Sequence, residues 1–433
     1  MPGRVNTSRL KKIIFPAALI FLVTIMFTAC GGANISGKNN PGGVPAAEQS
    51  GALGKQKTGS GNDKLAAEEA GPGSIDEHPP AEVKNPAGRQ VLFRGDFRRS
   101  GISGAKGLGE SASLLWKFKT GESVYSSPAV RRGVVYLGGR DGFFYALDSS
   151  TGEEKWRYQA GSFIRSSPCV AGDLVYFGAH DGFYALDAGT GREQWKFALP
   201  KGVESSPVVE GDTVLFGSFD GHLYALDATT GLEKWRFDTG DFVGSSPSLL
   251  GDTVYVGSFG GCLYALDVDT GKEKWRYQVG DGVYSTPAVD GETVYFGALD
   301  GNFYALDAAT GEERWKFTTR GVIVWSSPAV KDGTVYFGGY DGNLYALDAA
   351  SGEQKWRFWT AKAIYASPVA AGETVYIGSH NGKLYALEAA TGREIWHFPT
   401  GDRIESSAVV DGDRLYFGGG DGYLYALGPG ENK

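Results

Sequence analysis

The chain has 433 residues, 66 of them glycine, with 42 lysines and arginines against 50 aspartates and glutamates and a formal net charge of −8. No basic stretch occurs in its repeats, which argues against a nucleic-acid partner. Glycine stands at about twice its usual share, which points to a chain of many tight turns.

Residues 1–29 read as a targeting segment. Arg4, Arg9, Lys11 and Lys12 precede an apolar run over 13–27, which is short for a membrane span. Thr28-Ala29-Cys30-Gly31 follows. Small residues ahead of a lone Cys resemble the acylation box of bacterial lipoproteins, with Phe27 standing where that box usually carries Leu. The resemblance implies that Cys30 is diacylated, becomes the mature N-terminus and holds the protein to a membrane on its extracytoplasmic side. An uncleaved anchor or ordinary signal peptide is the alternative, and it too exports the rest of the chain. Residues 30–90 have no Phe, Tyr or Trp and are rich in Gly, Ser, Pro, Ala and Glu. Such a composition cannot bury a core, so a disordered linker is expected. The folded part is assigned to 91–433. Its lead-in is Phe93-Arg94-Gly95-Asp96-Phe97-Arg98-Arg99-Ser100-Gly101, in which Arg98-Arg99 reads as solvated.

A period near 40 residues then takes over. The string A-L-D-x-x-T-G-x-x-x-W at 225–235 recurs at 146–156, 185–195, 265–275, 305–315, 346–356 (Ser351 for the Thr) and 386–396 (Glu388 for the Asp). Its tryptophans, with Trp116 ahead of them, are Trp156, Trp195, Trp235, Trp275, Trp315, Trp356 and Trp396. Such a repeat must be recognised first because it decides the fold. One period holds four short runs rich in β-branched and aromatic residues, separated by turn residues, with no room for a helix. Asp220-Gly221 reads as a type I′ hairpin. The last period lacks its Trp strand and the start supplies a spare one around Trp116. The sequence therefore predicts an all-β, eight-bladed β-propeller of four-stranded antiparallel blades, closed when residues 114–118 complete the last blade. Each Trp is expected to pack between blades, while neighbours such as Lys155 and Arg157 guard the outer edge.

The repeated string resembles the tryptophan-docking motif of the pyrroloquinoline quinone (PQQ)-like propeller family, and the lead-in is similar to that family as well. The resemblance covers 91–433. It implies the fold and leaves the function open, because the family includes quinoprotein dehydrogenases and non-catalytic envelope lipoproteins. An acylated Cys, a linker and then a ring is the plan of the BamB-type lipoproteins of the outer-membrane assembly machinery. Quinoproteins often carry an adjacent Cys-Cys pair and bind Ca²⁺ with Glu, Asn and Asp. Here Cys169 and Cys262 belong to different blades and are expected to be free thiols. Asp141, Asp220, Asp300 and Asp341 occupy repeated turn positions, which structure alone explains. His78, His180, His222, His380 and His397 show no metal-ligand spacing. No catalytic residue, metal or cofactor is therefore expected. The first alternative is a PQQ- and Ca²⁺-dependent dehydrogenase or small-molecule binder. The second is a cell-wall carbohydrate-binding or sensor module.

Positions that differ between repeats are those free to carry function. One ring precedes the Ser-Ser-Pro-type turn: Tyr125, Arg165, Glu204, Gly244, Tyr284, Trp325, Tyr365 and Glu405. A second precedes the Asp-Gly-type hairpin: Arg140, His180, Phe219, Phe259, Leu299, Tyr340, His380 and Gly420. Strand direction puts both rings on one face around the central funnel. Tyr, Trp, Phe, Arg and His there have the composition of a protein interface. The expectation is a monomeric, lipid-anchored scaffold that binds envelope proteins. Tyr284, Trp325, Tyr340 and Tyr365 would be its anchors, with Arg140 and Arg165 in support.

Overall fold

The structure, a computed structural model, describes residues 93–321 and 325–430. The targeting segment, Cys30 and the linker lie outside the described residues. The described chain folds into eight antiparallel sheets, and no helix occurs among the described residues. We number the blades by their short inner strands. These are Ala129–Arg131, Cys169–Ala171, Val208–Glu210, Ser248–Leu250, Ala288–Asp290, Ala329–Lys331, Val369–Ala371 and Val409–Asp411, for blades 1 to 8.

Residue types follow depth in the blade. In blade 1 the middle strands, Val134–Gly138 and Phe143–Asp148, are covered on both faces and are nearly continuously apolar. The outer strand Glu154–Gln159 is covered on one face only, so it alternates. Lys155 and Arg157 are exposed; Trp156 and Tyr158 are half-buried.

Two repeated devices join the blades. Each of the eight tryptophans donates its indole N–H to a backbone carbonyl of the next blade, as Trp156 does to Ala188 at 3.2 Å and Trp116 to Ser149 at 3.2 Å. In all but Trp396 the ring lies on the glycine of the next Thr-Gly or Ser-Gly pair. A Cβ on Gly191 would sit 2.5 Å from Trp156 Cε3, and its φ of +73° also favours glycine. The second device is nearer the axis. The N–H of Ser127 donates to Ser167 Oγ at 3.0 Å, and the pattern steps from blade to blade until Ser407 N–H donates to Ser127 Oγ at 2.9 Å. These bonds form a closed ring of hydroxyls and amides. In blade 8 the strand Ala112–Lys119 pairs antiparallel with Tyr423–Pro429 and takes the outer place. Gly109 then supplies the carbonyl for Trp396, at 3.1 Å.

Two local expectations are corrected. The Asp-Gly hairpin is not type I′. Only the glycine has positive φ (Gly142 +82°, Gly221 +99°), and Gly142 N–H donates to Gly139 carbonyl at 3.2 Å. This is a turn over Arg140-Asp141 followed by a glycine bulge. Asp141 keeps its negative φ while its carboxylate accepts from Phe143 N–H at 3.0 Å and Tyr145 O–H at 2.6 Å.

The lead-in is solvated only in part: Arg98 is exposed, but Arg99 is buried. The segment crosses the end of the channel as a strap. The inner-strand amides of Leu249, Val289, Val330 and Ala370 donate to the carbonyls of Phe97, Arg98, Ser100 and Gly101 at 2.8–2.9 Å. Ile102–Ser103 adds a parallel fifth strand to blade 7. Arg99 is 0 % exposed. Its guanidinium donates to the carbonyls of Ser206, Pro207, Pro247 and Phe93 at 2.6–3.1 Å. Inner strands near the axis lack a further neighbour, so their edge groups need partners from elsewhere in the chain.

Candidate functional site

All eight first-ring residues line one axial cavity of about 110 Å³, together with the hydroxyls of the serine ring and with Phe93 of the strap. They therefore form the throat of the channel and do not lie on the open face of the disc. The second ring sits beside the connection leading into each inner strand. Arg140, His180, Phe219, Phe259, Leu299, His380 and Gly420 each donate a backbone N–H to the residue two positions before the first-ring residue of the same blade, as His180 does to Phe163 at 3.2 Å. Those connection residues form a third tier that sequence reasoning missed, including Phe163, Phe242 and Arg403. The signal was available. Each lies two residues before a first-ring position, hence on the same side of an extended segment.

The charged members of the throat pair with one another. Arg165 bridges Glu204 at 3.4 Å and Glu405 at 3.2 Å. Glu204 also accepts from Tyr284 O–H at 2.7 Å and meets His180 Nε2 at 3.0 Å. Glu405 lies 2.9 Å from Arg403 Nε and 3.4 Å from His380 Nε2, near but poorly aligned for hydrogen bonds. These contacts link blades 2, 3, 5, 7 and 8, joining neighbouring blades and blades two apart around the channel. Arg165 is thus spent on internal carboxylates and is not the free charged support that its position in the sequence suggested.

Burial opposes the Glu204 charge, but Arg165, His180 and Tyr284 overcome it and hold its pKa down to about 2. Glu405 is likewise lowered, against burial, by His380, Arg165 and Arg403. Burial and the Glu204 charge push the Tyr284 phenol well above its ordinary range, so Tyr284 keeps its proton and donates. A depressed carboxylate stabilises the fold above its unfolded pKa and loses that contribution as pH falls through the folded value. The stability difference between the protein and Glu204→Gln should therefore be full above about pH 5 and shrink steadily towards pH 2. Denaturant melts at several pH values measure it; a constant difference over that range would contradict the network.

An aromatic row occupies the other side of the throat. Trp325 packs edge-on between Tyr284 at 5.4 Å and Tyr365 at 4.5 Å, and Tyr340 stacks 6.2 Å from Tyr365. Phe259 meets Tyr284 at 5.9 Å, and Phe219 meets Phe242 at 5.7 Å. The structure thus brings together the four expected anchors. Trp325 has a φ of +62°, the kind of backbone strain that collects at functional sites. Tyr340 is 43 % exposed and Trp359, in the outer strand of the same blade, 66 %. Trp359 was missed because it follows a docking strand and looks like part of it.

Two family models match the chain. The model of the outer membrane protein assembly factor BamB matches 108–184 and 341–431, and that of the β-propeller of the beta-alanine-activating enzyme matches 172–372. Among solved structures, BamB from Moraxella catarrhalis is similar at 21% identity and a TM-score of 0.63, covering 73% of this chain and 100% of that one. The chain is a PQQ-like β-propeller. A quinohemoprotein alcohol dehydrogenase from Pseudomonas putida is similar to this PQQ-like propeller at 18% identity and a TM-score of 0.70, covering 79% and 80%. The computationally designed protein Ika8 is similar at 19% and 0.66, covering 73% and 99%. No curated protein matches in sequence. At these identities the structural likeness speaks for the fold, and the fold alone does not choose a function.

Cys169 and Cys262 of the PQQ-like propeller are both free and buried. Among the described residues no three His, Cys, Asp or Glu side chains converge as a metal site. The turn carboxylates serve the turns, as Asp220 does in accepting from Tyr224 O–H at 2.7 Å.

Proposed function

We propose that this PQQ-like propeller is a non-catalytic, lipid-anchored scaffold of the cell envelope that binds protein partners at the mouth of its channel. The observation that carries this reading is the use of the throat's charges. Both carboxylates, Glu204 and Glu405, are tied to Arg165 in a cavity of about 110 Å³. A Ca²⁺ ion needs about six to eight oxygen ligands. The throat would have to break its own network to offer even two carboxylates, so these residues do not fit a Ca²⁺–quinone pair. What remains for a partner is the mouth, where Tyr340 is exposed beside the half-buried Trp325; Trp359 is also exposed, but on the outer strand of that blade. The matching BamB model supports an envelope setting and, in a cell with an outer membrane, a part in assembling its proteins.

Tyr340→Ala should leave melting nearly unchanged, because the side chain is already exposed. Trp325→Ala should cost some stability through its contacts with Tyr284 and Tyr365. Each should weaken cross-linked capture of envelope partners, since an interface anchor typically contributes about 2 kcal/mol, or roughly 30-fold. Capture that survives the double replacement would move the site to another face.

Membrane attachment through Cys30 belongs to the same proposal. Cys30→Ser is expected to abolish labelling by a fatty acid and to release a soluble propeller. Equal label in the variant would reject the lipid anchor.

A further inference from the structure

One guanidinium at the channel mouth has no carboxylate partner among the described residues. Three arginines crowd the ring of Tyr125: Arg165 at 5.1 Å, Arg140 at 5.5 Å and Arg403 at 5.6 Å. Arg165 takes Glu204 and Glu405, and Arg403 shares Glu405 while donating an N–H to the Tyr125 hydroxyl oxygen at 2.6 Å. Arg140 has no anionic partner among the described residues. Its guanidinium lies over the rings of Tyr125 and Phe163, at 5.5 and 5.6 Å, and its Nε is shut off from solvent without an acceptor. The neighbouring carboxylate cannot help. Asp141 accepts from Phe143 N–H, Tyr145 O–H and Gly121 N–H at 2.6–3.0 Å. Arg140 itself is fixed at the mouth by its backbone N–H, 3.1 Å from Ser123 carbonyl.

We propose that Arg140, clamped between Tyr125 and Phe163, is the receptor for a single carboxylate side chain of a protein partner docking on the channel mouth. This rests on the scaffold reading and names the chemistry of its partner. A planar guanidinium held by two rings presents a fixed fork that matches a carboxylate. A single guanidinium without an ion pair suits a monoanion better than a phosphate dianion. The Arg165 bridge across the throat stops a ligand at the mouth, so the acid arrives on a chain that stays outside. The aromatic row from Tyr284 to Tyr340 lies across the throat from Arg140 and offers apolar contact to residues flanking that acid.

The test uses two fluorescein-labelled peptides, Gly-Phe-Glu-Phe-Gly and Gly-Phe-Gln-Phe-Gly, both with blocked ends, and the full propeller. Fluorescence anisotropy should show the Glu peptide binding about tenfold tighter than the Gln peptide, as one charge-assisted contact implies. High salt should narrow that gap. Arg140→Gln should abolish the difference between the peptides, and Arg140→Lys should keep part of it. Equal affinity for the two peptides, no binding of the Glu peptide at millimolar concentration, or an unchanged difference in Arg140→Gln would each overturn the proposal. Free glutamate or inorganic phosphate displacing the Glu peptide at matched concentration would overturn it too, in favour of a small-anion site. If the peptides bind alike while Trp325→Ala and Tyr340→Ala still lose partner capture, the scaffold reading stands and only the carboxylate receptor fails.

Discussion

Removal of the strand Ala112–Lys119 is expected to lower stability by several kcal/mol and to bring thermal melting down sharply. That strand pairs along its whole length with Tyr423–Pro429. It carries Trp116, whose indole N–H reaches Ser149 at 3.2 Å and whose ring packs 5.8 Å from Tyr416. Loss of a large packed aromatic alone costs about 3–5 kcal/mol. Deletion also bares the edge of Tyr423–Pro429, a template for pairing with other chains. The expected result is therefore lower stability together with aggregation, read by denaturant titration and light scattering. A melt unchanged by the deletion would mean that the ring does not depend on this strand for closure.

Replacement of Arg99 should have the next largest effect. Burial pulls its pKa down to about 10, so it stays charged at neutral pH in the absence of a paired carboxylate. Its donors are taken by carbonyls of three segments: the strap, blade 3 and blade 4. Arg99→Met keeps the apolar stem and removes all of these donors. Hydrogen bonds from a charged group contribute about 1.5–3 kcal/mol each. Even partial rehydration of the orphaned carbonyls leaves an expected loss of about 3 kcal/mol or more. The strap should also loosen, so that trypsin cuts at Arg98 and Lys106, whose side chains are already exposed, well below the global unfolding transition. Arg99→Lys should not rescue, since one ammonium cannot reach Ser206, Pro207 and Pro247 together. Wild-type stability and trypsin resistance in Arg99→Met would show that the strap is passive.

The sequence by itself determined the blade and the number of blades. A tryptophan every 40 residues or so, with a Thr-Gly pair at fixed spacing, is a contact repeated from one blade to the next. Such contacts are local in a repeat, because each blade touches only its neighbours. The hairpin type was misread for an equally local reason. The Asp-Gly dipeptide suits a type I′ turn, but the bonds that Asp141 accepts from Phe143 N–H and Tyr145 O–H hold Asp141 at negative φ and leave the left-handed step to Gly142.

Only the tertiary structure decided what the variable rings do. Arg165 and Glu405 are 240 residues apart, and Tyr284 and Glu204 are 80 apart, yet each pair meets in the channel over an intervening blade. Repeat spacing fixes which blade a side chain comes from. Whether it reaches past the neighbouring blade depends on channel width and on side-chain length and direction, which no periodicity encodes. The same geometry left Arg98 exposed but buried Arg99, and made the lead-in a strap held by the inner strands at one end of the channel. It also left Arg140, identical in type to Arg165 on paper, as the guanidinium without an anion. Charge pairing across a ring is settled where eight separate stretches of chain converge, and that convergence exists only in the folded molecule.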